Sequence, residues 1–112
     1  RDIASHEVAL RAARELLYRT IDDAWLSAQT QKEPLEERRK LRTANIHAMT
    51  TSLNVIDRMY TVAGGSSIYE TSCLQQHFRA IHVVSQHMMV AEPVMELAGR
   101  VLLGLDESAP GL

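Results

Sequence analysis

The sequence predicts an all-α protein, an up-and-down four-helix bundle. Apolar residues recur at steps of three and four through most of the chain, the period of a helix buried along one face. No segment alternates apolar and polar residues at period two for long enough to make a strand. Prolines and a paired glycine cut the pattern into four segments with short connections, and short connections make consecutive helices antiparallel neighbours.

The first helix is expected from about Ile3 to about Gln29, with Leu10, Ala13, Leu17, Ile21, Ala24 and Ala28 on one stripe. Arg11, Glu15, Arg19 and Asp22 fall on the opposite side. Leu16 and Trp25 lie off the stripe and widen it toward a second contact. Thr30 to Glu33 is a short polar connection, and Pro34 suits the first position of a new helix. Glu36 and Glu37 follow in the first turn, where the helix dipole favours negative charge. This second helix is expected to reach about Ala63, with Ile46, Met49, Leu53, Ile56, Tyr60 and Ala63 as the seam of a nearly antiparallel pair. Arg38, Arg39, Lys40 and Arg42 form a basic cluster, either a solvated face or a contact to an anionic neighbour or a cofactor phosphate.

Gly64 and Gly65 break the pattern, since glycine tolerates positive φ and ends helices. Two overlapping capping signals, Ser67 with Glu70 and Ser72 with Gln75, restart it. They predict a short helical turn after Gly65 and then a third helix from about Ser72 to about Met88, with Leu74, Phe78, Ile81, Ser85 and Met88 inward. Pro93 is expected to open the fourth helix. Its apolar face is Val94, Leu97, Ala98, Val101, Leu102 and Leu105, and Gly104 is its stop. Asp106 to Leu112 reads as a loose tail.

At 112 residues the chain makes about one domain with one core. A formal net charge of −2 leaves no basic footprint for nucleic acid. The single Cys73 excludes an internal disulfide framework and suits a reducing cytoplasm, the expected location. No apolar run reaches the roughly 18–20 residues that span a bilayer, so no membrane partner is expected. The chain opens at Arg1-Asp2 rather than at a methionine, and is expected to be a piece of a longer protein.

Three histidines, His77, His82 and His87, recur every five residues on the third helix. Five steps of about 100° leave successive rings roughly 140° apart, too far round for two to chelate one ion, so no metal site is expected. His77 and His82 read as exposed or interfacial. His87, at the end of the helix, stands open between a structural role and acid–base work, for which imidazole is suited near neutral pH. Gly64, Gly65 and Ser66 are likewise open between a plain helix stop and a close approach to a ligand.

The run Ala63-Gly64-Gly65-Ser66-Ser67-Ile68-Tyr69, then Leu74-Gln75-Gln76-His77-Phe78-Arg79-Ala80-Ile81-His82, then Gln86-His87, resembles the C-terminal domain of acyl-CoA dehydrogenase-like flavoproteins. Within them it is most similar to the two-component flavin-dependent monooxygenases acting on hydroxyphenyl, steroid-phenol and thiophene-type substrates. The resemblance covers essentially all of the chain. It implies that residues 1–112 are the C-terminal helical-bundle domain of a flavoprotein subunit. That subunit would insert one oxygen atom into a small aromatic or heteroaromatic substrate, using reduced flavin (FMN before FAD) from a separate flavin reductase.

By the same resemblance Gly65 and Ser66 contact the flavin through backbone N–H groups and a hydroxyl, often across a subunit boundary of a homo-oligomer, a tetramer in the parent. His87 matches a histidine that faces the flavin and assists proton transfer around the oxygenated flavin or the substrate. The isolated chain is expected to be inactive and to bind no cofactor. Acyl-CoA dehydrogenases commonly carry a carboxylate base in a Glu-Gly-Thr motif near this helix end, where this chain has Ser85-Gln86-His87-Met88. Many relatives also have Arg-Asp where this chain has Arg79-Ala80. The missing carboxylate favours oxygenase over dehydrogenase chemistry. A dehydrogenase with its base supplied elsewhere and a non-catalytic oligomerisation module remain the alternatives.

Overall fold

The computed structural model describes residues 1–30, 35–65, 73–87, 91–105 and 112. Among them are four helices and no strand: α1 (Asp2–Gln29), α2 (Leu35–Ala63), α3 (Cys73–His87) and α4 (Ala91–Leu102). The all-α four-helix architecture and its boundaries are those expected, within a residue or two. Pro34, Ser66, the turn after Gly65, both capping serines, Met88 and the tail from Asp106 to Gly111 lie outside the described residues. No helix among the described residues is long and apolar enough to cross a membrane.

α2 is the hub. It packs against α1, α3 and α4, whereas among the described residues those three make no contact with one another. Its buried residues show why. At about 100° per residue, Ala44 and Val55 lie within about 20° of each other, and Ile46 lies nearly opposite them. The side carrying Ala44 and Val55 faces α1, because Arg58, within about 60° of them, donates to Asp2 Oδ2 at 2.7 Å. The other side carries Ile46, Met49, Leu53, Ile56 and Tyr60, the seam expected from the sequence. Ala63, its last expected member, is exposed.

The first stripe needs correcting. α1 buries Ala13 and Thr20 and half-buries His6, Ala9, Leu17 and Ala24, while Leu10, Ile21 and Ala28 are exposed. The inner face thus keeps Ala13, Leu17 and Ala24 of the expected stripe but turns toward Ala9 and Thr20, so α1 meets α2 mainly through small side chains. Small side chains at a crossing let two helix backbones approach closely, which compensates for the area a leucine would bury. The Thr20 hydroxyl is satisfied within its own helix, donating to the Leu17 carbonyl at 2.8 Å. Leu10, Tyr18, Ile21 and Trp25 then share an uncovered flank of α1, with Trp25 66% exposed.

The fourth helix begins two residues before Pro93, at Ala91. Proline is tolerated there because the first four N–H groups of a helix have no intrahelical partner to lose. Val94 and Ala98 are buried, Leu97 and Val101 half-buried, and Leu102 and Leu105 exposed. The helix stops at Gly104 as expected. Its φ is 72°, Gly104 N–H donates to the Val101 carbonyl at 3.0 Å and Leu105 N–H to Arg100 at 2.9 Å, the paired bonds of a Schellman stop. Gly64 closes α2 with φ 67°.

The extents of 51 × 24 × 23 Å and the 16.9 Å radius of gyration describe a rod. A compact chain of this length has a radius near about 13 Å. The two long helices set the rod's length, and elongation leaves apolar surface uncovered on α1, α3 and α4.

Two outcomes are expected. Val55→Ala removes two buried methyl groups and leaves a cavity, a loss of about 2 kcal/mol in urea unfolding, whereas Leu16→Ala on the exposed side changes stability by less than about 0.5 kcal/mol. The Arg58 hydrogen bond holds the Asp2 carboxyl below its ordinary range. A lowered carboxylate stabilises the fold above its unfolded pKa and loses that contribution as pH falls through the folded value. Arg58→Met should therefore flatten the acid limb of a stability–pH profile and leave its neutral-to-alkaline limb unchanged in shape.

Candidate functional site

α3 has two chemically different sides. The inner side holds Leu74, Gln75, Phe78, Ile81, His82 and Ser85, all half-buried toward α2. The Phe78 ring lies 4.2 Å from Tyr60 of α2 and 4.4 Å from the His82 ring, measured between centroids. The His82 Nε2–H donates to Asp57 Oδ1 of α2 at 2.7 Å. A carboxylate only accepts, so this contact puts the His82 proton on Nε2. Ser85 Oγ donates to the His82 carbonyl and Thr61 Oγ1 to the Asp57 carbonyl, tying both partners to their helices. His82 is therefore interfacial, and His77 is exposed.

The outer side of α3 is a shallow depression lined by Gln76, Arg79, Ala80, Val83 and Val84. Val83 is 64% and Val84 45% exposed, an apolar strip that nothing in the chain covers among the described residues. His87 is the last residue of α3. Its backbone position completes the series Ala80, Val83, Val84, His87 at i, i+3, i+4 and i+7, so by register it belongs to this outer side. Sequence reasoning singled out His87 but missed the strip; the i, i+3, i+4 spacing of Ala80, Val83 and Val84 was the signal.

Gly65 follows Gly64 at the end of α2, and both are exposed. Among the described residues a Cβ built at either would meet nothing within 4 Å, so on that side the turn leaves room for close approach by a flat or bulky group. This end of α2 carries the partial negative charge of a helix C-terminus and favours a hydrogen-bond donor over a phosphate. The structure does not describe Ser66, the other residue assigned to this contact.

The remaining candidates are placed elsewhere. Arg38, Arg39 and Lys40 are half-buried, so the basic cluster is not a solvated face; only Arg42 is exposed. Arg39 donates to Glu36 one turn back, and that bond holds the Glu36 carboxyl below its ordinary range. Cys73 is exposed at the first position of α3. Among the described residues no group of three His, Cys, Asp or Glu side chains is placed to hold a metal ion.

The family described as acyl-CoA dehydrogenase, C-terminal domain, matches residues 1–92. The chain is 29% identical over 104 residues to an indole-3-acetate monooxygenase of Pseudomonas putida, covering 92% of this chain and 27% of that protein. It is 30% identical over 105 residues to the oxygenase component of p-hydroxyphenylacetate 3-hydroxylase of Acinetobacter baumannii, covering 92% and 24%. A pigment production hydroxylase of Rhodococcus erythropolis is 30% identical over 103 residues, covering 90% and 26%. The chain thus spans about a quarter of the length of the relatives it matches.

Replacing the two histidines separately tests the two-sided reading of α3. His82→Ala should cost about 1 kcal/mol in urea unfolding, the net worth of one hydrogen bond in a part-exposed site. His77→Ala should cost less than about 0.5 kcal/mol.

Proposed function

The chain belongs to the acyl-CoA dehydrogenase C-terminal domain family, and on that premise we propose that it is the C-terminal helical domain of a longer, reduced-flavin-dependent monooxygenase. The whole protein would insert one oxygen atom into a small aromatic or heteroaromatic substrate, with a separate reductase supplying the reduced flavin. Support comes from relatives named as monooxygenases or hydroxylases, one of them as an oxygenase component. The observation in this chain that carries the reading is the outer side of α3. An apolar strip at Ala80, Val83 and Val84 ends by register at His87, with no carboxylate among residues 85–88. Such a surface suits an aromatic substrate and a flat cofactor, and it offers imidazole rather than a carboxylate for proton work.

When bound, the reduced flavin would supply the oxygen chemistry. The chain's own residues would do the rest. Gly65 lets a ring system approach the backbone at the end of α2. Ala80, Val83 and Val84 exclude water, and His87 donates or accepts a proton at the helix end. The uncovered flank of α1 with Leu10, Ile21 and Trp25 supports a homo-oligomeric parent, since apolar surface of this kind is usually covered in an assembly.

The test is His87→Ala in the full-length protein. Reduced FMN and dioxygen are supplied directly, and indole-3-acetate and p-hydroxyphenylacetate serve as aromatic acid probes. Product formed per flavin oxidised should fall by roughly 10²–10⁴-fold, the usual weight of an acid–base group. Flavin oxidation should continue and release hydrogen peroxide. The exposed His77 is the control, and His77→Ala should leave the ratio near normal. An unchanged ratio in the His87 variant, with flavin still bound, returns His87 to a structural role.

A further inference from the structure

We propose that Asp57 of α2 and His82 of α3 are a positioning pair. By fixing the rotation of α3 on α2, they set where the outer side of that helix presents His87. The inference rests on the reading of His87 as the acid–base group. Neither Asp57 nor His82 would touch substrate or cofactor.

The argument starts from what holds α3. Among the described residues its one neighbouring helix is α2. Apolar contacts at Leu74 and Ile81 resist separation but are non-directional, and a helix resting on them is free to roll. Direction comes from the groups that accept only one geometry. These are the 2.7 Å hydrogen bond from His82 Nε2–H to Asp57 Oδ1 and the tilted ring stack Tyr60–Phe78–His82 at 4.2 and 4.4 Å. Both converge on His82. The Ser85 and Thr61 hydroxyls bond to the backbone carbonyls of the two partners, which places each in a turn already engaged by a side chain.

His87 follows His82 by five residues, about 7.5 Å along the helix and roughly 140° round it. The anchor is thus on the inner side and the proposed acid–base residue on the outer side of one rigid element. Rolling α3 by about 10° moves an atom about 6 Å from its axis by about 1 Å. A displacement of that size at a reacting group is enough to cost on the order of 10²-fold in rate.

The experiment uses the full-length protein and two substitutions of Asp57. Asp57→Leu keeps the branching at Cγ and the number of side-chain heavy atoms but cannot accept the His82 proton; Asp57→Asn keeps an oxygen acceptor. One readout is independent of turnover: amide hydrogen exchange of the 73–87 segment by mass spectrometry. Asp57→Leu should raise it about tenfold with the α1 segment unchanged, and Asp57→Asn should stay near the unmodified protein. The second readout is product per reduced FMN oxidised, with the same aromatic acid probes. Asp57→Leu should lower it at least about tenfold, with substrate KM changed less than about twofold and Asp57→Asn restoring most of the loss.

Unchanged exchange and unchanged coupling in Asp57→Leu would overturn the proposal. So would faster exchange with full coupling while His87→Ala still uncouples, because the pair would then hold the helix without setting the site. Equal losses in the Leu and Asn variants would also overturn it, since the acceptor atom would not be what matters. If His87→Ala itself leaves coupling unchanged, the acid–base reading fails first and the positioning claim falls with it. That result differs from failure of the pair alone.

Discussion

The structure depends on the burial of α2 on two opposite sides. A helix with a single apolar stripe can pair with one neighbour; α2 has Ala44 and Val55 on one side and Ile46, Met49, Leu53, Ile56 and Tyr60 on the other, so it can hold several. Because α1, α3 and α4 do not touch one another among the described residues, each depends on α2 for its orientation. The two sides use different chemistry. α1 is joined through small side chains and an exposed ion pair between Asp2 and Arg58, and α3 through aromatic rings and the Asp57–His82 hydrogen bond.

That division explains where function can sit. An element that turns its aromatic and polar anchors inward leaves its other side available, and on α3 the available side is apolar with Arg79 and, by register, His87 at its edge. Among the described residues nothing crowds the Cβ positions of Gly64 and Gly65 at the end of the hub helix either. Apolar flanks on α1, α3 and α4 stay exposed along the rod, and the chain spans about a quarter of the length of the relatives it matches.

Periodicity made most of the fold legible. Four helices, the seam on α2, the inward line of α3 and the glycine stop at Gly104 follow from apolar spacing and turn chemistry alone. On α1 it placed Ala13, Leu17 and Ala24 correctly on the inner face, but it also put Leu10, Ile21 and Ala28 there and passed over Ala9 and Thr20, because a stripe scored by apolar character favours large side chains and skips a threonine satisfied within its own helix. Ala44 and Val55 were passed over for a related reason, since a one-seam reading has no place for a second buried side. The Asp57–His82 contact joins residues 25 apart and needs the crossing geometry of two helices, which no local pattern carries. At the site, Gly65 and His87 stood out through family resemblance, and the apolar strip beside His87 was readable from spacing but masked by the stronger inner line.

Amide hydrogen exchange of the unmodified chain, resolved helix by helix, tests the hub arrangement most directly. Protection follows the free energy of the opening that exposes each segment, so the element on which the others depend should open last. Amides between residues 44 and 56 should exchange most slowly, with α3 and α4 exchanging at least about tenfold faster because each can leave α2 without unfolding it. Protection of α3 or α4 equal to that of α2, or faster exchange in α2 than in α1, would contradict a fold organised around a two-sided central helix.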